Sequence, residues 1–407
     1  MRCTQGCLFR SLLAGAATTI LVVATIASHA QPSAPEPGVA AAMQSATDVA
    51  QAEIAATILR RESALLSQPL SQDDAVDLTL LHSPLAIRLA QTLGLAERDR
   101  LRALYEPNPA ASRSRAGEET KVQRSQTSHW LSWITPALFA ATPENAAETR
   151  GNAEMLGTLM FDVRRAWVNA VAALEARTYY EHVAEAAAVA RQLAERMRRI
   201  GNYAPLDLIR EQRFHADALR DLTRAQLAAS LARERLAGLL GLWGPTAETM
   251  QLPARLPELP LSAIGAETLE ALAIAQRVDT QVARHRAAAD RDEVAIQART
   301  QLRMAWISYR AAYDLAGHAR DALIPLAQRA AAEQQRRYNG MLASVFTLIA
   351  SAREHVAVAN SALDAQREFW LTEVDLQQAL AGIGTPNVGS RVSAPMMSSD
   401  HGPAHSH

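Results

Sequence analysis

The sequence predicts an all-α fold built from long antiparallel helical hairpins, with the same hairpin written twice. Three observations predict it. Arg164, Ala166, Trp167, Ala172, Ala173, Arg198, Gly201 and Ala204 recur without a gap 139 residues later as Arg303, Ala305, Trp306, Ala311, Ala312, Arg337, Gly340 and Ala343. Solenoid units repeat every ~20–50 residues, so a period this long makes each copy a whole hairpin rather than one rung of a stack. Glycine and proline are absent between Gly157 and Gly201 and again from 266 to 316. Finally, the 407 residues are 49% hydrophobic but only 5% aromatic. Alanine must therefore line much of the buried surface, which favours close helix-on-helix contact over one thick core.

Charge excludes several function classes. There are 41 basic and 42 acidic residues, and no basic stripe with interleaved aromatics of the kind that neutralises phosphates, so nucleic acid is excluded as a partner. Lys121 is the only lysine, in keeping with a GC-rich coding bias. No HExxH, no phosphate-cradling glycine loop, no Gly-x-Ser-x-Gly elbow and no distinctive carboxylate pair is present. The sequence therefore points to neither an enzyme nor a cofactor-binding protein.

Residues 1–30 read as a signal peptide: Arg2 and Arg10 precede an apolar run from Leu12 to Ala27, and Ser28-His29-Ala30 supplies small cleavage residues. An uncleaved membrane anchor is the other reading, although the run is short for a span of the hydrocarbon core. Cys3 and Cys7 both precede the run, so the mature chain would hold no cysteine and could form neither disulfides nor thiolate metal sites. Residues 31–42 read as a proline- and alanine-rich flexible leader.

The first helical repeat spans residues 43–243. Ser71, Asp73 and Asp74 make an acidic, cap-like start before Ala75, Val76, Leu78 and Leu81. Residues 105–150 read as a loop insert, with Pro107, Pro109, Pro136 and Pro143 and an aromatic cluster of Trp130, Trp133 and Phe139. Leu156, Met160, Val163, Trp167, Val171 and Leu174 then recur at helical steps, in a run that would extend roughly 65 Å. After a turn at Gly201 to Pro205, Leu222, Ala225, Ala229, Ala232, Leu236 and Leu239 form a coiled-coil seam. Residues 244–260 form a proline-rich linker, and residues 261–381 the second repeat. Within it, Gly317 and Pro325 should bend or interrupt the outgoing helix, the turn centres on Gly340, and Ile349, Ala352, Val356, Ala359 and Leu363 repeat the seam. Residues 382–407 read as a disordered tail.

These residues resemble the outer-membrane factor family, the TolC-like ducts of bacterial efflux and type I secretion systems. The resemblance rests on Arg198-Arg199-Ile200-Gly201 followed by Leu206-Asp207-Leu208, on the helix ending at Leu236 to Leu242, on the linker Leu252 to Pro260, and on the duplicated Arg-x-Ala-Trp. The start of each copy also fits, at Ala75 to Pro84 and at Leu269 to Asp279. What the resemblance implies is a duplicated TolC-like coiled-coil architecture, a homotrimer at the outer membrane, and a passive duct working with a periplasmic adaptor protein and an inner-membrane pump. It also implies that the adaptor docks at the turns: Gly201, Asn202, Tyr203, Pro205, Leu206 and Asp207 in the first copy, and Gly340, Met341, Leu342, Ser344 and Val345 in the second.

Two departures qualify that expectation. From Ala75 to Trp167 there are 92 residues, but from Ala271 to Trp306 only 35, so the second copy lacks the interval where the family keeps strands. Gln281 to Arg303 read instead as unbroken polar helix. The first copy's interval has no pair of alternating ten-residue segments, so β-barrel strands are expected to be absent or vestigial. At the second tip Phe346 stands six residues after the turn glycine, where the first copy has Asp207, and the two tips should differ in charge and docking preference. Trp167 and Trp306 read as core, with cargo contact as the alternative; Arg164 and Arg303 read as solvated or helix-paired, with a pore-lining role as the alternative. Met396, Met397, His401, His405 and His407 carry soft to borderline ligands suited to copper, silver or zinc, which would fit heavy-metal efflux. The bland reading is a histidine-bearing tail without fixed geometry. A barrel-less periplasmic protein of the same ancestry, acting in interaction or metal binding, is the alternative to the duct.

Overall fold

A computed structural model describes residues 37–94, 146–265, 269, 277–283 and 288–384. Among them every regular element is a helix, and no helix is long and apolar enough to cross a membrane. The residues read as signal peptide, the loop insert up to residue 145 and the tail from residue 385 lie outside the described residues. Met1–Leu59 and Arg60–His407 are separate compact units. Helix α1 (Pro37–Leu66) crosses that boundary and begins six residues before Met43, inside the stretch read as a flexible leader. Proline suits a first helical turn and the alanines that follow have the strongest helix propensity, so the helix starts early.

In the second unit, α2 (Gln72–His82) starts with a reciprocal cap. The Asp74 N–H donates to Ser71 Oγ at 3.1 Å and the Ser71 N–H donates to Asp74 Oδ2 at 3.1 Å. Helix α3 (Pro84–Thr92) follows directly, with proline in its first turn. Burial pushes the Asp77 carboxyl up from its ordinary 3.8 to about 7, against the pull of Arg61 at 3.3 Å; Asp74 and Asp73 add to the rise.

Helix α4 (Ala146–Arg199) has 54 residues and so extends roughly 80 Å. It takes in the last five positions of the expected loop insert and passes through Gly151 and Gly157, because its buried face continues in phase through Ala153, Leu156 and Met160. Helix α5 (Pro205–Leu240) returns alongside it, with seam residues Ala225, Ala229 and Leu236 buried. Gly241 ends α5 in the left-handed region (φ 75), where a Cβ would stand 2.7 Å from the His82 carbonyl oxygen, so only glycine allows the two chain segments to approach.

The linker holds the one-turn α6 (Pro245–Thr249) and is stitched down by side chains. Arg233 donates to the carbonyls of Ala247, Glu248 and Met250, and the indole of Trp370 donates to the Pro257 carbonyl at 3.0 Å. The second copy contains α7 (Val278–Ala283), α8 (Ala288–His318), one π-helical turn (Ala319–Leu323), α9 (Ile324–Asn339) and α10 (Val345–Ala381). Gly317 and Pro325 therefore bracket the expected interruption. Proline cannot donate to the ladder, and the wider turn before it absorbs the register change. The unbroken polar helix read over 281–303 is helical on both sides of residues 284–287, which lie outside the described residues.

Both tryptophans make the same anchor. Trp167 Nε1 donates to the Leu70 carbonyl at 2.8 Å across 97 residues, and Trp306 Nε1 donates to the Ile264 carbonyl at 3.1 Å across 42 residues. The two copies thus share an attachment, and the shortening of the second lies inside the loop that this bond closes. Trp167 is buried, and Trp306 packs against a core of Leu302, Tyr309, Phe369 and Leu376.

Of the readings open for the arginines, helix pairing holds for Arg164. Arg164 is neither solvated nor pore-lining but buried between helices, donating to Gln377 at 2.6 Å and Asp73 at 2.8 Å. Burial lowers its pKa, opposed chiefly by Asp73. Arg303, its repeat mate, is exposed. The corresponding buried guanidinium in the second copy is Arg277, which pairs with Asp279 and caps the α10 carbonyl of Ala379 at 2.6 Å. Side chains packed against a helix from several directions can override the spacing of a repeat, which sets only the backbone register.

For Asp77, the native state holds a proton more tightly than the unfolded chain between 3.8 and about 7. Its contribution to stability is complete in acid and is lost as pH rises through about 7. Asp77→Asn should flatten that part of the pH profile by on the order of a few kcal/mol, read from urea unfolding midpoints at a series of pH values.

Candidate functional site at the hairpin tips

The turns between α4 and α5 and between α9 and α10 have the same geometry but not the register the repeat predicts. In the first, the Gly201 N–H donates to the Arg198 carbonyl at 3.1 Å and the Asn202 N–H to the Met197 carbonyl at 3.0 Å. That pair of bonds closes a helix end on a left-handed residue, here Gly201 at φ 83. In the second, the Met341 N–H donates to the Tyr338 carbonyl at 3.0 Å and the Leu342 N–H to the Arg337 carbonyl at 2.8 Å. The left-handed residue is therefore Met341 at φ 60, while Gly340 sits at φ −81. The expectation that the second turn centres on Gly340 is corrected by one residue.

Residue chemistry explains the slip. Proline favours the first helical position, so Pro205 makes Ala204 the N-cap of α5, without a side-chain bond. In the second copy Ser344 has the hydroxyl that Ala343 lacks, and it becomes the N-cap of α10, accepting from the Thr347 N–H at 3.4 Å. The third helical residue is Asp207 in one hairpin and Thr347 in the other, so Thr347 rather than Phe346 replaces the aspartate. Asp207 lies in the first turn of α5, near the positive end of the helix dipole, and accepts from Arg210 at 3.0 Å.

The tips differ in the apolar residues they display. Ile200, Leu206 and Ile209 are exposed at the first, with Tyr203 folded inward; Met341 and Leu342 are 95% and 82% exposed at the second. Arg198 donates to the Tyr203 carbonyl at 3.2 Å, and burial pushes the Tyr203 hydroxyl up to about 12, with Glu211 and Asp207 adding to it. Asn202, Pro205 and Gly201 are exposed, Ser344 is exposed, and Val345 is half-buried.

Just behind the tips the hairpins are clasped. Glu211 is buried in α5 and meets Arg353 of α10 at 2.8 Å, and the Arg353 guanidinium lies 4.4 Å from the centre of the Phe214 ring. Farther from the tips, Val183, Ala184, Ala187 and Ala218 pack together with Val356 of α10. The sequence reading missed this clasp. A signal existed: Glu211, Ala218 and Ala225 are spaced by seven, which places a carboxylate in phase with an alanine seam.

Solved structures carry the same fold. The outer membrane protein VceC of Vibrio cholerae matches with a TM-score of 0.52 and 12% identity over 77% of this chain and 96% of its own. The chain has the TolC-like fold. A membrane protein of Pseudomonas aeruginosa matches with a TM-score of 0.52 and 15% identity, covering 79% of this chain and 92% of its own. The open state of the MtrE outer membrane channel of Neisseria gonorrhoeae matches with a TM-score of 0.50 and 14% identity, over 77% and 89%. No family model and no curated protein matches the sequence. At these identities the likeness is one of fold.

The metal expectation falls differently. Met396, Met397, His401, His405 and His407 lie outside the described residues, and among the described residues no three His, Cys, Asp or Glu side chains gather as metal ligands.

The clasp predicts a measurable loss. Glu211→Gln keeps the shape but leaves Arg353 without its charge partner, and should cost about 1–3 kcal/mol in urea unfolding, less than a fully buried pair because Arg353 reaches solvent.

Proposed function

We propose that this chain is an exported wall component of a helical periplasmic duct, acting in tripartite efflux of heavy metals or other cargo, or in type I secretion. It works by conduction rather than chemistry, as a homotrimer at the outer membrane, with a periplasmic adaptor at its tips and an inner-membrane pump beyond. The observation that carries this reading is the pair of hairpins in the TolC-like fold, shared with proteins described as an outer membrane protein and an outer membrane channel. Long helices with alanine seams suit a tunnel wall, because small side chains let neighbouring helices approach closely while exposed leucines and isoleucines remain for further packing. Leu219, Leu227 and Leu231 on α5 and Ile296, Met304, Ile307 and Leu315 on α8 are exposed in this way.

One observation favours a second reading, a barrel-less periplasmic interaction protein. From the anchored carbonyl to its tryptophan the second copy has a sequence separation of 42 against 97, and from Ala288 onward that stretch is helix. Cell fractionation separates the two readings. Recovery in the outer-membrane pellet as a heat-sensitive trimer is the expected result; a soluble periplasmic monomer would transfer the assignment to the second reading.

A further inference from the structure

The second tip holds a strained residue with a conspicuous side chain. Met341 adopts the left-handed backbone at φ 60 and is 95% exposed, while glycine, the residue that tolerates this conformation best, stands one position earlier where it is not required. The Ser344 cap sets that register, so the left-handed position falls on Met341 and its thioether is displayed to solvent, where it gains nothing from burial in the free protein. Leu342 beside it is 82% exposed, and the first tip adds Ile200 and Leu206.

The surroundings are basic. Over residues 195–211 and 333–347, Arg196, Arg198, Arg199, Arg210, Arg336 and Arg337 stand against Glu195, Asp207, Glu211 and Glu333, an excess of two positive charges in a chain whose formal net charge is −1. Glu333 pairs with Arg336 at 2.8 Å and with Arg337 at 3.7 Å, and Asp207 with Arg210 at 3.0 Å, so three of the guanidiniums are held in place near the turns.

Taking the tips as docking sites, as proposed above, we infer that Met341 and Leu342 form an apolar anchor whose basic surround selects a periplasmic protein presenting an apolar pocket rimmed by carboxylates. The anchor protrudes at a turn, so the partner supplies the pocket. Buried apolar contact gives the affinity, and the arginine surplus gives orientation, encounter rate and rejection of basic surfaces. An anionic bilayer fits less well. Met341 and Leu342 sit on a hydrogen-bonded turn, not along a helix face that could lie in an interface.

The test uses the full chain in its own cells, with a photo-crosslinking phenylalanine at Leu342, which keeps the position apolar. The expected product joins this residue to a peptide of a periplasmic protein in which Asp or Glu flank apolar residues. Met341→Gly should reduce its yield by about ten-fold or more while leaving the thermal unfolding midpoint of the purified protein unchanged or raised. Arg336→Glu with Arg337→Glu should reduce it likewise. A protein adduct whose yield is unaffected by the charge reversals, or by Met341→Gly, overturns this inference and leaves tip docking intact. Adducts only to lipid, or none to any protein, overturn both.

Discussion

The C-terminal half of α10 is the constraint on which the rest of the molecule depends. Leu371 to Ala379 is buried on every face, although it includes Thr372, Glu373, Asp375, Gln377 and Gln378. Polar groups taken out of water cost free energy unless they are paired; here Thr372 donates to the Phe369 carbonyl, Glu373 accepts from Gln377, and arginines of other elements pair the remaining three. Arg164 and Arg165 of α4 reach Gln377, Asp375 and Gln378, while Arg277 reaches the Ala379 carbonyl near the end of α10. Gly382 then ends α10 in the left-handed region, where a Cβ would come within 2.5 Å of Asp279 Oδ1. Alanine seams bury modest area per residue, so directional polar ties set the register of the long helices where apolar packing alone would tolerate sliding.

From that fixed end the two hairpins extend toward tips that can diverge. The tryptophan-to-carbonyl bond secures each copy at its base, and neither bond depends on how many residues the intervening loop contains. Loop length is a weak thermodynamic variable, which explains how one copy could be shortened by more than fifty residues without loss of the anchor. The tips are coupled to the body through Glu211, Arg353 and Phe214, where one buried carboxylate and one stacked guanidinium join hairpins from different copies. Duplication thus fixes the scaffold, and the surfaces at the ends are free to specialise.

Much of this was legible in the residues because it depends on local or periodic chemistry. The offset of 139, the seams, the capping serine of α2 and the interruption between Gly317 and Pro325 are all written in short-range patterns. Three things were not. Burial of Arg164 and Arg277 depends on which distant helices meet there, and their repeat positions do not correspond. The slip at the second tip follows from the competition between Ala343 and Ser344 for the cap, which a gapless repeat conceals. The clasp needed Glu211 to be recognised as a seam position, and acidic residues on helices are read as solvated by default.

Hydrogen exchange measured by mass spectrometry on the full chain tests the central role of α10 most directly. Amides of Leu371 to Ala379 should exchange only through global unfolding, together with those around Trp167, while the turns at Gly201 and Met341 exchange early. Exchange in Leu371 to Ala379 as fast as at the turns would contradict it.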